Sequence, residues 1–247
     1  MKAECENINP YGADDPRHKA SQVEEMFDNI APAYDFMNRA MTMGIDRRWR
    51  RLAVSLAAKS SPRRILDVAT GTGDLAITLA KSIPESEVTG IDLSEGMIRV
   101  GEKKIKSAGL SDRVRLRAAD CLALPFEDNS FDVITAAFGV RNFEHLDRGY
   151  AEMLRVLRPG GQLIVLELST PTSALIKPLY QIYTRGVIPI VGRIVSHDSS
   201  AYSYLPASIA AVPQGSRMTD MMLRAGFGAA TFRPLTFGVC TLYAARK

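Results

Sequence analysis

Ile65 to Leu75 reads ILDVATGTGDL: an apolar pair closed by an acid, Asp67, then two glycines, Gly71 and Gly73, and a second acid, Asp74. Behind them Leu75, Ala76, Leu79 and Ala80 recur with helical spacing. Strand, tight loop and helix start in that order leave backbone N–H groups free to meet a ligand's anionic group. Glycine suits the loop because a Cβ would block close approach or forbid the turn's dihedrals. Two more acids close two more β-patterned runs, Asp92 after Glu87–Ile91 and Asp120 after Val114, Leu116 and Ala118. Carboxylates in those places can accept from hydroxyl, amino and ammonium donors.

Taken literally, Gly71-Thr72-Gly73-Asp74-Leu75-Ala76 also satisfies the dinucleotide pattern G-x-G-x-x-G/A. Asp67 and Asp74 argue against that reading, since two carboxylates repel a pyrophosphate. They suit a ligand that carries an ammonium beside its carboxylate, such as the methionine half of S-adenosylmethionine. Asp92, about twenty residues past the glycines, is placed to accept both ribose hydroxyls. The bland alternative makes Asp92 a helix cap ahead of Ser94. Asp120 is placed to receive the adenine amino group, with the Cys121 backbone beside it. The D-x-A-x-G-x-G run resembles the first motif of class I methyltransferases.

The elements that must position these groups follow in order. Met1 to His18 is polar and broken by Pro10, Gly12 and Pro16, which reads as a loose arm over residues 1–20. Val23, Met26, Phe27 and Ile30 give a helical stripe that stops near Pro32. A second helix carries Trp49, Leu52, Ala53 and Leu56, with Arg47, Arg48, Arg50 and Arg51 among them as a solvated face. This helical piece precedes the first strand and can fold over the cofactor as a cap. Strand and helix then alternate: a helix from Ser94 to Gly109, a strand over Phe131–Ala137, a helix over Tyr150–Leu157 and a strand over Gln162–Leu168. That rhythm predicts an α/β fold, a Rossmann-like and mainly parallel sheet with helices on both faces. Ligands are expected at the carboxyl ends of its strands. Residues 170–213 break the rhythm and read either as a helix pair on the sheet edge or as a substrate-covering insertion. Phe227–Arg233 and Val239–Ala245 read as a closing antiparallel pair, so residues 21–247 form a single domain.

Composition narrows the class. The 247 residues are 46% hydrophobic and 23% charged, ordinary for a soluble globular domain with a substantial core. A net charge of +4 without a clustered patch does not indicate nucleic acid. Cys5, Cys121 and Cys240 are odd in number and unpaired in spacing, and His18, His145 and His197 make no ligand pair, so neither a disulfide framework nor a metal site is expected. No apolar run approaches the roughly 18 residues of a membrane span, and the N-terminus lacks a signal-peptide pattern. A cytoplasmic protein is expected.

Tyr34-Asp35-Phe36-Met37-Asn38 through Gly44 to Trp49, and Arg155-Val156-Leu157-Arg158-Pro159-Gly160-Gly161 through Glu167 and Ser169, resemble the two signatures of the menaquinone and ubiquinone biosynthesis C-methyltransferases. Phe138-Gly139-Val140-Arg141-Asn142 and Ala201-Tyr202-Ser203-Tyr204-Leu205 are similar to that family as well. The resemblance runs from about Val23 to the C-terminus. It implies methylation of a ring carbon on a prenylated demethylmenaquinol, with S-adenosylmethionine as methyl donor and cofactor contacts at Thr72, Asp92, Asp120 and Cys121. Two positions depart from the pattern. Asp46 stands where the signature has His and receives no catalytic duty on this reading, and Ala137 replaces a cofactor-contacting serine. Thr236-Phe237-Gly238-Val239-Cys240 is more similar to the menaquinone branch, which sets a polyprenyl methoxybenzoquinol second as acceptor.

The acceptor chemistry can be reasoned apart from the family. The sulfonium already activates the methyl, so the protein must align it with a nucleophilic carbon and exclude water. A phenolic proton comes off near pH 10 unassisted, and a nearby cation favours the phenolate. Arg141 and Asn142, just past the fourth strand, are placed to supply that cation and a hydrogen bond. Tyr34, from the cap, is placed to reach the same hydroxyl. The alternatives are aromatic packing for Tyr34 and a turn for Asn142. Leu175 to Ile194 combines apolar residues with Lys177, Arg185 and Arg193, a composition suited to peripheral contact with the membrane's inner face, where a prenyl tail resides. A homodimer is compatible with the sequence. A non-catalytic adenosyl-binding domain and a nicotinamide dehydrogenase are the competing readings.

Overall fold

The computed structural model of the chain describes residues 3–12, 14–187 and 200–247. Seven strands, β1 (Arg64–Val68), β2 (Glu87–Asp92), β3 (Val114–Ala118), β4 (Phe131–Ala137), β5 (Leu157–Leu168), β6 (Ala229–Leu235) and β7 (Cys240–Arg246), form one sheet. Its order is β3-β2-β1-β4-β5-β7-β6. Every neighbour pair is parallel except those of β7, which runs antiparallel to both β5 and β6. The register aligns Val68 with Ile91 and Asp92 with Ala118, which brings the carboxyl ends of β1, β2 and β3 to one edge.

Period-two alternation explains the layers. Ile65, Val133 and Ile164 face one side, where Trp49 and Leu79 pack on them. Leu66, Ile134, Leu163 and Val165 face the other, against Tyr150, Met153 and Met218. Each such side chain contributes roughly 1.5–3 kcal/mol of burial. Helices α1 (Lys19–Ile30), α2 (Tyr34–Thr42) and α3 (Asp46–Ala58) precede the sheet; α4 (Asp74–Ser82), α5 (Glu95–Ser107) and α6 (Leu146–Val156) connect its strands. A further helix, α7 (Ile176–Ile182), follows β5 and runs into one π-helical turn, Tyr183–Val187. The Ser200–Ala211 and Ser216–Arg224 helices lead to β6.

Several expectations are corrected. The N-terminal stretch is seated rather than loose. Cys5 is fully buried in the core, Glu6 accepts a hydrogen bond from Leu146 N at the start of α6 (3.0 Å), and buried Lys19 donates to the carbonyls of Cys5 (2.6 Å) and Arg141 (3.3 Å). Polar composition hid this because these side chains serve as caps for distant backbone groups. Arg47, Arg48 and Arg51 are exposed as expected, but Arg50 is buried. Helix α6 starts at Leu146, four residues before the expected Tyr150, because Leu146, Tyr150 and Met153 share its buried face. Strand β5 starts at Leu157, before the Pro159-Gly160-Gly161 turn. Within residues 170–213, Ile188, Ile190, Val191, Arg193 and His197 lie outside the described residues, as do the side chains of Arg185 and Val187.

Candidate active site

Beyond β1 the backbone turns left-handed at Ala69 (φ 52°), Gly71 (φ 56°) and Gly73 (φ 77°). Gly73 then caps α4. Asp67, the expected strand end, is the penultimate residue of β1, and its carboxylate faces inward. It is 1% exposed and accepts from Thr70 Oγ and Thr135 Oγ, each at 2.6 Å. Burial pushes its pKa up to about 6, against the opposing pull of those two hydrogen bonds. Asp67 therefore organises the loop, and the loop residues lining the cleft are its neighbours Ala69 and Gly71. Asp74 is likewise engaged, in an ion pair with Lys104. Sequence spacing placed both acids at the loop but could not tell which way they point.

The cleft at the ends of β1, β2 and β4 is lined by Gly71, Asp92, Asp120, Cys121, Tyr34 and Asn142, with Phe27, Met97 and Phe138 as apolar walls. Asp92 Oδ2 accepts from Gly71 N (2.8 Å) and Oδ1 from Ser94 N (3.0 Å), so the second acid fixes the glycine loop from β2. Burial holds its carboxyl above the usual carboxylate range. Ser94, not Asp92, caps α5, accepting from Met97 N at 3.0 Å. Asp120 Oδ1 accepts from Leu122 N at 2.8 Å and leaves the carboxylate exposed at the rim. Burial raises the Cys121 thiol well above its ordinary value. Thr72 and Gly73 stand behind the cleft wall: the Thr72 hydroxyl donates to Asp35 Oδ1 (2.6 Å) and accepts from Lys104 Nζ (3.0 Å).

A second, wider cavity of about 540 Å³ opens beside the cleft. Its walls come from α2 (Asn38, Met41, Thr42), the start of α3 (Asp46, Trp49), α7 (Ile176, Leu179, Tyr180), Tyr183, Leu205, Ile209, Thr236 and Val239, with Arg141 also on the lining. Tyr34 and Phe138 line both spaces and form the partition between them. Phe138 is held with φ 63°. Its carboxyl-side neighbour Gly139 packs so tightly that a Cβ there would fall 2.4 Å from Ala69 Cβ. Arg50 lies over the Phe138 ring (5.1 Å) and Trp49 meets it edge-on (6.1 Å). A strained backbone at such a partition marks a functional constraint.

The three expected catalytic residues converge, with differences. Tyr34 is half-buried, packs edge-to-face on Phe27 (5.9 Å) and sits over the glycine loop, 3.7 Å from where a Gly71 Cβ would be. Burial raises its hydroxyl pKa, keeping it a neutral donor. Arg141 is 5% exposed, and Nη1 donates to Glu167 Oε1 at 2.9 Å while the Arg141 N–H donates to Glu167 Oε2 at 3.1 Å. The same Nη1 reaches the Phe138 carbonyl. The expected free cation is thus already matched by a buried carboxylate. Asn142 lines the cleft rather than the wider cavity, and its Oδ1 accepts from Tyr204 OH at 3.0 Å.

Sequence reasoning missed the cap's latches. Asp28, at the end of α1, accepts from Ser94 Oγ (2.6 Å) and Gly96 N (2.8 Å) at the start of α5. An acid in the last turn of a helix opposes the helix dipole, which is a signal that it serves another element. Asp35 on α2 is latched to Thr72 and Lys104. Among the described residues no group of three or more His, Cys, Asp or Glu side chains could hold a metal ion.

A mainly parallel sheet with an antiparallel β7, and an acid-lined cleft at its carboxyl edge, define a class I S-adenosylmethionine-dependent methyltransferase. Residues 16–247 match the ubiE/COQ5 methyltransferase family, and the chain belongs to that family. It is similar to a demethylmenaquinone methyltransferase of Bacteroides fragilis, at 51% identity over 242 residues, 98% of each protein. A ubiquinone/menaquinone biosynthesis C-methyltransferase UbiE of Geobacter sulfurreducens is 43% identical over 230 residues, 93% of this chain and 90% of that protein. Among solved structures, an O-methyltransferase family protein from Burkholderia thailandensis shares the fold with a TM-score of 0.65 at 18% identity, over 91% of this chain and 62% of that one.

Proposed function

We propose that the chain transfers the methyl of S-adenosylmethionine to a ring carbon of demethylmenaquinol, giving menaquinol. The observation that carries this reading is the pair of cavities meeting at Tyr34 and Phe138, one acid-lined and at the strand ends, the other wide and largely apolar. The residues present fit the donor. Asp92 faces the cleft with both oxygens anchored by backbone donors and lone pairs left for ribose hydroxyls. Gly71 gives room for close approach, and Asp120 with Cys121 frames the adenine end. When bound, the sulfonium supplies an electrophilic methyl group. The chain's own residues do the rest: Tyr34 and Phe138 shape the opening between the cavities, Arg141 and Glu167 hold the turn after β4 rigid, and the apolar walls exclude water.

The prenyl tail leaves through the mouth of the wider cavity. Met43 and Leu179 on its lining, and Leu175, Ile182 and Phe237 next in sequence to the lining residues Ile176, Tyr183 and Thr236, are from 64% to 86% exposed. Met43 and Phe237 both hold left-handed backbone, φ 51° and 57°, which presents an apolar side chain to solvent at a conformational cost. A bilayer surface would bury them, at about 0.8 kcal/mol per CH₂. Helix α7, Tyr183, Leu205 and Ile209, the described parts of this segment on the cavity lining, would then cover the acceptor. Among the described residues no helix is long and apolar enough to cross a membrane.

The test is incubation with S-adenosylmethionine and either demethylmenaquinol or a demethylated methoxybenzoquinol, with products identified by mass spectrometry. The expected result is methylated naphthoquinol as the favoured product. Turnover of the benzoquinol alone would reverse the acceptor assignment, and no methyl transfer to either would leave an adenosyl-binding domain.

A further inference from the structure

Asp46 is the one carboxylate among the described residues lining the wider cavity, and it is 2% exposed. It opens α3, directly after the left-handed Met43 and Gly44 that end α2. Its Oδ1 lies 3.0 Å from Thr42 Oγ, whose single proton is shared between Asp46 and the Asn38 carbonyl at 2.7 Å. Its Oδ2 stands 3.6 Å from Arg50 Nε, longer than a hydrogen bond. Arg50 Nε itself is buried with no hydrogen-bond partner. The Arg50 guanidinium lies over the Phe138 ring, so the pair flanks the partition through which the methyl must pass. A buried carboxylate beside a cation it does not fully bond, on a largely apolar wall, is poised to take a further hydrogen bond from a guest.

A quinol hydroxyl must give up its proton for the ring to attack, and Arg141, bonded to Glu167, accepts no proton. We infer that Asp46 is the general base for the acceptor hydroxyl, with Thr42 and Arg50 holding it in place. The inference rests on the quinol reading above. As the ring carbon bonds to the methyl carbon, the C–S bond breaks with its electron pair left on sulfur, and the hydroxyl proton passes to the Asp46 carboxylate. The ring C–H proton is then lost to water as the ring becomes aromatic again, and Asp46 returns its proton to the ring oxygen. The net products are methylated quinol, S-adenosylhomocysteine and one proton.

Asp46→Asn and Asp46→His test this. General-base removal is expected to lower turnover on demethylmenaquinol about 100-fold, with S-adenosylhomocysteine affinity by calorimetry and the thermal midpoint both near wild type. The pH profile separates a base from a structural role. Tyr34 on α2, Arg141 after β4, and Tyr180 and Tyr183 from α7 and its π-helical turn also line this space, with Arg50 on α3 beside Asp46. Burial raises Tyr34, Tyr180 and Tyr183 further from neutrality. Asp67, at about 6, and Asp74 both feel the Arg50 charge, while Glu167 backs Arg141 and Asp92 lies near Tyr34. The acid limb of the rate profile is expected to vanish in Asp46→Asn and to move to higher pH in Asp46→His, which recovers part of the turnover. Full turnover in Asp46→Asn, or an acid limb that survives there and so belongs to another acid, would overturn the assignment. Wild-type protein that methylates no quinol would overturn the acceptor reading itself, a different outcome.

Discussion

Lys104 Nζ lies 2.6 Å from Asp35 Oδ2 and also donates to Thr72 Oγ at 3.0 Å, so one ammonium ties the cap helix α2 to the glycine loop. The same ammonium pairs with Asp74. The Asp35 and Lys104 side chains are only 22% and 25% exposed, which lifts the pair above an ordinary surface contact.

Lys104→Met is expected to loosen the cap over the cofactor cleft. With charge-assisted bonds worth on the order of 1–2 kcal/mol at such a site, affinity for S-adenosylhomocysteine should fall roughly five- to thirtyfold, mainly through faster release. Stopped-flow displacement reads this. An unchanged release rate would mean the cap does not move for cofactor exchange.

The second latch is sterically exact. A Cβ at Gly96 would stand 2.7 Å from Asp28 Oδ1 and 3.2 Å from Asp28 Cα. Gly96→Ala must therefore displace α1 or break the bonds Asp28 makes to the start of α5. The expected cost in urea unfolding is about 1–2 kcal/mol, the scale of a lost helix cap. Asp28→Ala should cost a similar amount, and the double variant should add little, since both remove the same contact.

Asp67 gives stability a pH dependence of known sign. Burial raises its folded pKa to about 6 from 3.8. Across that window the folded state binds more protons than the unfolded chain, so stability is greatest below the unfolded value and is lost as pH rises through about 6. The ionised carboxylate costs on the order of 3 kcal/mol at neutral pH. Asp67→Asn should flatten the unfolding free energy between pH 4 and 6, measured by denaturant titration at three pH values. Retention of the full wild-type slope would assign the dependence to another group.

How much of this was legible before the fold was known depends on range. The strand ends at Asp67, Asp92 and Asp120 were readable because each closes a local apolar run, and the register that aligns them follows from parallel pairing. Which way a side chain turns at a strand end is a tertiary matter. Asp67 faces two threonines, one of them 68 residues away, while Asp92 faces the cleft. The same limit hid the seated N-terminus, the buried Arg50 and the Arg141–Glu167 pair. Asp46 was visible as a departure from the family pattern, but its place on the cavity wall needed α3 packed against β5.

The buried Arg141–Glu167 pair is expected to be a stability element first. Glu167→Gln leaves a guanidinium 5% exposed without its counter-charge, a change that typically costs 3–5 kcal/mol. Arg141→Ala should destabilise as well, and its turnover should not be restored at high pH, because the removed charge was already matched. Recovery at high pH with an unchanged unfolding midpoint would show that the pair opens in the substrate complex and frees the cation.

The methyl goes to a ring carbon, in a fold also used by an O-methyltransferase family protein. The most direct measurement uses S-adenosylmethionine carrying a ¹³C-labelled methyl, demethylmenaquinol as acceptor, and carbon NMR of the extracted product. The expected spectrum holds a single labelled signal in the aryl-methyl region, bonded to the ring carbon beside the prenylated position. A labelled methoxy signal, with the methyl on the quinol oxygen, would contradict it.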